Sequence, residues 1–213
     1  MSKFGIIVNV DKCVGCHACA IACKEENRVA PGIFYERVHR SESIEKNVIS
    51  YFRVSCMHCE DPACMKVCPA KAISHGPAGE VLVDHKKCIG CRMCAAACPY
   101  GAPMFNADGL GEKDWFGGKM PLAPAPEREW VVRTPGKAEH CTLCTHRTSM
   151  GEKPACVEAC GIGALLFVDW DKLEGEAKEL APRAKAMNAA AGTNPKIRYV
   201  ASVLDIEKMK EKV

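Results

Sequence analysis

Cys56-Met57-His58-Cys59-Glu60-Asp61-Pro62-Ala63-Cys64-Met65-Lys66-Val67-Cys68-Pro69 decides the reading of this chain. Four cysteines fall within thirteen residues, and a proline follows the last. The same economy recurs three more times. Clump I is Cys13, Cys16, Cys19 and Cys23, clump III is Cys88, Cys91, Cys94 and Cys98, and clump IV is Cys141, Cys144, Cys156 and Cys160. All 16 cysteines of the 213-residue chain belong to one of these four clumps, the quoted stretch being clump II. Three closely spaced thiolates form a tripod for one polynuclear iron centre, and the fourth, three residues further on, reaches a neighbouring centre. Four clumps therefore predict four [4Fe–4S] clusters.

Two other uses of cysteine fit less well. A disulfide framework needs an oxidising compartment and usually a leader, and Met1–Lys12 lacks the basic, apolar and small-residue pattern of one. Disulfides also leave the C-x-x-C-x-x-C tripods unexplained. A structural zinc scaffold is the stronger rival, because C-x-x-C pairs suit tetrahedral sites. Zinc ligands come as two separated pairs, however, not as three-plus-one clumps ending in Cys68-Pro69 and Cys98-Pro99.

The apolar share is 48% and aromatics only 6%. Sixteen of the apolar residues are cysteines, so the core is small and metal centres are expected to staple it. The formal charge of +3 falls to about −5 if each of four thiolate-bound clusters carries about −2. That balance, without a basic run interleaved with aromatics, gives no support to nucleic-acid binding. No apolar stretch reaches the ~18–20 residues needed to cross a bilayer. No Ser-His-Asp grouping, HExxH or phosphate-cradling loop is present, so substrate chemistry on this chain is not expected.

The lead-ins Val8–Cys13 and Val81–Cys88 are alike, and Pro-Ala-Cys recurs at Cys64 and Cys156, which indicates duplication of a cluster-binding unit. Short helices are expected over Cys16–Glu26 and Cys91–Cys98. Hairpins are expected from residues 33–43 with 47–55 and from Lys71–Ser74 with Glu80–Asp84, and a strand over Ala164–Val168. An apolar stripe from Asp171 to Ala191 fits a packing helix interrupted by Pro182. Residues 106–140 are rich in glycine and proline and carry Trp115, Phe116 and Trp130, a composition suited to a docking loop.

The fold class expected is α+β, with two ferredoxin-like dicluster units of short helices and hairpins. Residues 54–105 form one unit from clumps II and III. Residues 1–53 with 106–213 form the other from clumps I and IV. By the reciprocal ligation rule, Cys56, Cys59, Cys64 and Cys98 hold one cluster, and Cys88, Cys91, Cys94 and Cys68 its neighbour. In the other unit Cys13, Cys16, Cys19 and Cys160 hold one, and Cys141, Cys144, Cys156 and Cys23 the other. His58, His140 and His146 flank the cysteines as hydrogen-bonding neighbours. Lys24 and Arg92 are cations beside cluster loops, where positive charge favours the reduced centre.

The clump II and clump IV spacings, C-x2-C-x4-C-x3-C-P and C-x2-C-x11-C-x3-C, resemble those of the four-cluster electron-transfer subunit of the dimethyl sulfoxide reductase family of molybdopterin enzymes. Cys88–Cys94, Cys98–Pro103 and Gly192–Val200 also look like segments of that family. The resemblance spans nearly the whole chain. It implies a non-catalytic subunit of an oxidoreductase complex in anaerobic-type respiration, partnered by a large catalytic subunit with a molybdenum or tungsten pterin centre. A quinone-reactive membrane anchor is often implied as well, with the clump I/IV half facing the catalytic subunit and the clump II/III half facing the quinone side. Export with a twin-arginine partner or retention in the cytoplasm both fit the resemblance. An electron-transfer subunit of a hydrogenase or formate-oxidising complex is the alternative. Some relatives replace the second cysteine of clump III by tryptophan and hold a three-iron cluster; Cys91 here implies a cubane. Clumps I and IV depart from the pattern in having Lys24 and Gly161 where a proline would follow.

Overall fold

The computed structural model describes residues 3–30, 32–105 and 135–213. The chain begins with β1 (Phe4–Asn9), runs through clump I into α1 (Ala18–Asn27), and continues as β2 (Glu36–Ser43) and β3 (Val48–Ser55). Clump II contains α2 (Ala63–Lys66), followed by β4 (Ile73–His75) and β5 (Val81–Val83). Clump III contains α3 (Met93–Ala97), followed by β6 (Met104–Phe105). After residue 134 come β7 (Ala138–Glu139), α4 (Thr145–Thr148) and α5 (Ala155–Glu158) within clump IV, then β8 (Leu165–Asp169), α6 (Gly175–Leu180) and β9 (Ile197–Val200). The helix and strand mixture is α+β.

The core rests on a three-stranded sheet in the order β8-β1-β9. The central strand pairs antiparallel with β8, Val8 opposite Leu165, and parallel with β9, Val8 opposite Tyr199. Ile6, Ile7 and Val8 are consecutive and fully buried, as expected of a strand covered on both faces. This pairing sets the position of two clumps. Clump I leaves the end of β1 just where clump IV delivers the chain into β8, so the beginning and end of the sequence meet there. Helix α1, carrying Cys19 and Cys23, packs on α5, carrying Cys156.

The second arrangement is local. The β4–β5 hairpin pairs Ile73 with Val83, and α2 packs against α3. Around it Cys64, Ala72, Ile73, Val81, Cys88, Cys94 and Ala138 form a small apolar core. Ala138 arrives from beyond residue 134 because β7 pairs with β6, Phe105 opposite Ala138. The segment just before clump IV therefore also packs on residues 54–105. The expected docking loop lies mostly outside the described residues, including Trp115, Phe116 and Trp130; residues 135–140 form a turn and this short strand.

The long hairpin forms over β2 and β3, with Glu36 opposite Ser55 and Ser43 opposite Val48. Its inner end is buried, and Phe52 and Val54 are inaccessible to solvent. The expected helix of residues 171–191 is shorter than its stripe. Only Gly175–Leu180 is α-helical, and Ala181–Arg183, containing Pro182, tightens into a 3-10 turn. Proline supplies no N–H and clashes with the preceding turn, so the helix cannot propagate through it. Lys185 instead pairs with Tyr199 beside β9.

Candidate cluster-binding sites

All four C-x-x-C turns share one backbone device. The residue before the second cysteine has positive φ in each: Gly15 at 70°, His58 at 45°, Gly90 at 72° and Leu143 at 56°. Glycine takes this left-handed conformation freely, whereas His58 and Leu143 are held there by their surroundings. The turn folds the backbone around the first thiol, and the Leu143 N–H points at Cys141 Sγ, 3.4 Å away. Clumps I and III match further. His17 and Arg92, just after the second cysteine, are both left-handed and start α1 and α3. The repetition read in the sequence is thus repeated in the backbone.

Three cavities are lined by four cysteines each. One has Cys56, Cys59, Cys64 and Cys98 in its wall with Tyr100 and His140. A second is lined by Cys68, Cys88, Cys91 and Cys94 with Ile73, Val83 and Phe105. A third is lined by Cys23, Cys141, Cys144 and Cys156 with Ile6, Leu143 and Arg53. The remaining four cysteines also lie together. The Cys13 thiol is raised by burial and by Cys160 and Cys16, and the Cys19 thiol by burial and by Cys13 and Cys160. Among the described residues no group of three His, Cys, Asp or Glu side chains could hold a single metal ion. The thiols stand around cavities, a geometry for a polynuclear group.

The four groups form a row. Cys156 senses Cys19, Cys56 senses Cys141, and Cys64 senses Cys94. Clump I thus lies beside IV, IV beside II and II beside III. Each end has one exposed cysteine, Cys16 and Cys91, while Cys23, Cys56, Cys59, Cys64, Cys141, Cys144 and Cys156 in the middle are buried, as are Cys88 and Cys94 of clump III. Burial pushes these thiols up, Cys59 and Cys94 to about 11 and Cys64 and Cys156 to about 12. Thiolates in such surroundings need a compensating cation, which iron provides. The donor set, four cysteines around each of three cavities with mostly apolar neighbours, suits [4Fe–4S] clusters.

The neighbouring polar residues divide clearly. His58 is fully buried; its Nδ1 accepts from the Val81 N–H at 3.0 Å, and burial, then His140, hold its pKa well below normal. His140 donates from Nδ1 to the Cys141 carbonyl at 2.6 Å. His146 bonds Glu26 at 2.9 Å. Lys24 donates to the carbonyls of Ile33 and Ala30, at 2.8 and 3.1 Å, and lies over the Phe34 ring. Arg92 lies over the Phe105 ring. The cation deepest among the cysteines is Arg53, which the sequence reading did not single out. Its signal was a charge inside the apolar run Tyr51-Phe52-Arg53-Val54, three residues before Cys56.

Four thiol groups set in a row within a small α+β fold define an electron-carrying iron–sulfur protein. Residues 47–113 match the 4Fe-4S dicluster domain family. The chain is 34% identical to the B subunit of the anaerobic dimethyl sulfoxide reductase of Escherichia coli (strain K12), covering 84% of this chain and 80% of that one. It is 34% identical to the arsenate respiratory reductase iron-sulfur subunit of Shewanella sp. (strain ANA-3), over 94% and 97% of the two chains. It is 30% identical to the iron-sulfur cluster-binding subunit of the menaquinone reductase of Nitratidesulfovibrio vulgaris (strain Hildenborough), over 93% and 88%. The chain belongs to the family of iron–sulfur subunits of dimethyl sulfoxide reductase-type oxidoreductases. It is a non-catalytic electron-transfer subunit.

Proposed function

We propose that this subunit conducts electrons through four [4Fe–4S] clusters between a molybdopterin catalytic subunit and a quinone-linked or other redox partner in anaerobic-type respiration. The observation that carries the reading is the row of four cysteine groups, three around a cavity and the outer two with a cysteine open to solvent. Cys13, Cys16, Cys19 and Cys160 are the ligands of one end. Cys141, Cys144, Cys156 and Cys23 follow, then Cys56, Cys59, Cys64 and Cys98, and finally Cys88, Cys91, Cys94 and Cys68. Two units, one of clumps I and IV and one of clumps II and III, make up the conductor.

Each cluster, when bound, supplies reversible one-electron storage at a potential set by its surroundings. The protein's residues do the rest. Apolar side chains such as Ile6, Leu143, Val81 and Tyr100 keep water from the middle of the row, and turn N–H groups point at sulfur. At the ends, exposed Val14, Ile21 and Ile162 surround the clump I side, and exposed Ile89 and Met93 the clump III side. Apolar rims beside accessible cysteines suit protein partners at both ends. In this reading the catalytic subunit docks at the first and the quinone-linked partner at the second, an orientation that the family resemblance supports. Among the described residues no helix is long and apolar enough to cross a membrane.

The test is Cys91→Ala in the purified complex. One iron should be lost, converting the outermost cubane to a three-iron centre visible by EPR. Quinol-linked turnover should fall steeply while turnover with a small dye that donates nearer the catalytic subunit is kept. Equal loss of both, with three other centres intact, would remove clump III from the quinone end. Wild-type protein holding only two clusters after anaerobic reconstitution would defeat the four-cluster reading.

A further inference from the structure

Arg53 is fully buried in the wall of the cavity lined by Cys23, Cys141, Cys144 and Cys156. Two parts of its guanidinium fork are committed. Nε donates to Glu36, itself buried, and Nη2 donates to Ser55 Oγ at 2.9 Å. Nη1 is buried without a geometrically formed hydrogen bond, although the guanidinium lies close enough to the Cys141 thiol to act on it by hydrogen bonding as well as by charge. An orphaned donor on a buried cation is costly unless something accepts from it. A buried ion pair is itself weak evidence for stability, because apolar residues of similar volume do as well or better. The pair is oriented. Glu36 takes the Nε side and is not among the cavity-lining residues, whereas Arg53 is. Its field reaches the neighbouring group too: after burial, which raises them, Arg53 pulls the Cys141, Cys156 and Cys19 thiols down.

We propose that Arg53 is a built-in potential-setting cation: Nη1 donates to sulfur of the centre held by Cys23, Cys141, Cys144 and Cys156 and favours its reduced state, while Glu36 holds the guanidinium in place and limits its effect. Reduction adds one negative charge to the centre, and a fixed positive charge with a charge-assisted N–H···S hydrogen bond stabilises that charge. The inference rests on the assignment of a cluster to this cavity.

EPR-monitored redox titration of the complex, with iron and sulfide counted in each sample, tests it. Cys144→Ser checks the assignment separately, since one transition should change and three should not. Arg53→Gln should lower that same transition's midpoint by a tenfold or greater change in its one-electron equilibrium, about 59 mV. The transitions of the clump II and clump III centres should stay fixed. Arg53→Lys should recover part of the shift, because charge is kept but the fork is lost. Glu36→Gln retains an acceptor for Nε and removes the opposing charge, so the midpoint should rise. Glu36→Gln decides the matter if Arg53→Gln fails to load iron. Unchanged midpoints in a fully loaded variant, equal shifts of all four transitions, or a fall in Glu36→Gln would each overturn the proposal.

Discussion

Gly90→Ala tests how tightly the clump III turn is held. Gly90 has φ +72°, and a Cβ built on it would overlap the carbonyl oxygen of Gly136. The left-handed conformation costs an L-residue about 1–2 kcal/mol. The overlap is with backbone, so relief requires moving residues 135–137, at about 1–3 kcal/mol for overpacking of this kind. The sum is about 2–5 kcal/mol. Gly136 is the internal control. Its φ is +75°, yet nothing lies within 4 Å of its Cβ position, so Gly136→Ala should cost only the conformational part, about 1–2 kcal/mol. The displaced segment matters to the site: Lys137 Nζ donates to the Cys88 carbonyl, and the Ala138 N–H points at Cys88 Sγ from 3.5 Å. Gly90→Ala should therefore also speed iron loss from the clump III centre under chelator challenge. Anaerobic urea unfolding, followed by visible absorbance and by EPR of individual centres, measures both effects. Equal destabilisation by the two alanines, or iron lost evenly from all centres, would refute the reasoning.

Tyr199→Phe removes a buried hydroxyl that donates to the Arg53 carbonyl at 2.9 Å; unfolding free energy should drop by about 1–3 kcal/mol, whereas no loss would mean the carbonyl is satisfied otherwise. In iron-free protein, burial raises Cys59 and Cys94 to about 11 and Cys64 and Cys156 to about 12, above about 8.5 for an unfolded cysteine. A folded value above the unfolded one contributes stability that is full below about 8.5 and lost as pH rises toward 11–12. Circular dichroism of the chelated chain should thus show residual structure melting across that window, and structure that strengthens with alkali would contradict it.

The cysteine pattern announced most of the architecture because metal ligation dictates local spacing. Two hairpins, at residues 33–55 and 71–84, and the strand after clump IV were legible from alternation and glycine punctuation. The stripe of residues 171–191 was over-read as helix, since Leu173, Leu180 and Ala184 do pack with Ile7, Val168 and Val200 but only six residues around Ala177 do so as an α-helix. Burial was the common signal, and Pro182 decided the backbone. Arg53 was missed because its role depends on a partner 17 residues away and on cysteines from two distant clumps. Nothing in spacing reveals which cation near the cysteines is buried: the sequence pointed to Lys24 and Arg92, of which one is tied to carbonyls and the other laid on a ring. The strained conformations of His58 and Leu143 were equally silent, because glycine marks the left-handed position only in clumps I and III.

The parallel pairing of β1 with β9 has a temporal consequence. Roughly 190 residues separate the two strands, so at 5–20 residues per second the ribosome releases the second about 10–40 s after the first. For most of that interval, until clump IV and β8 emerge, Cys13, Cys16, Cys19 and Cys23 have neither a sheet neighbour nor their partner cysteines. On the proposed ligand assignment residues 54–105 need no such wait, because their ligands and hairpin are contiguous, and non-local pairing is the slow step of folding. Maturation should therefore be vectorial, the clump II/III half of the row acquiring iron during synthesis and the clump I end last. A truncated or stalled product would carry a metallated half beside four naked thiols, a state open to oxidation and distinguishable from the finished subunit.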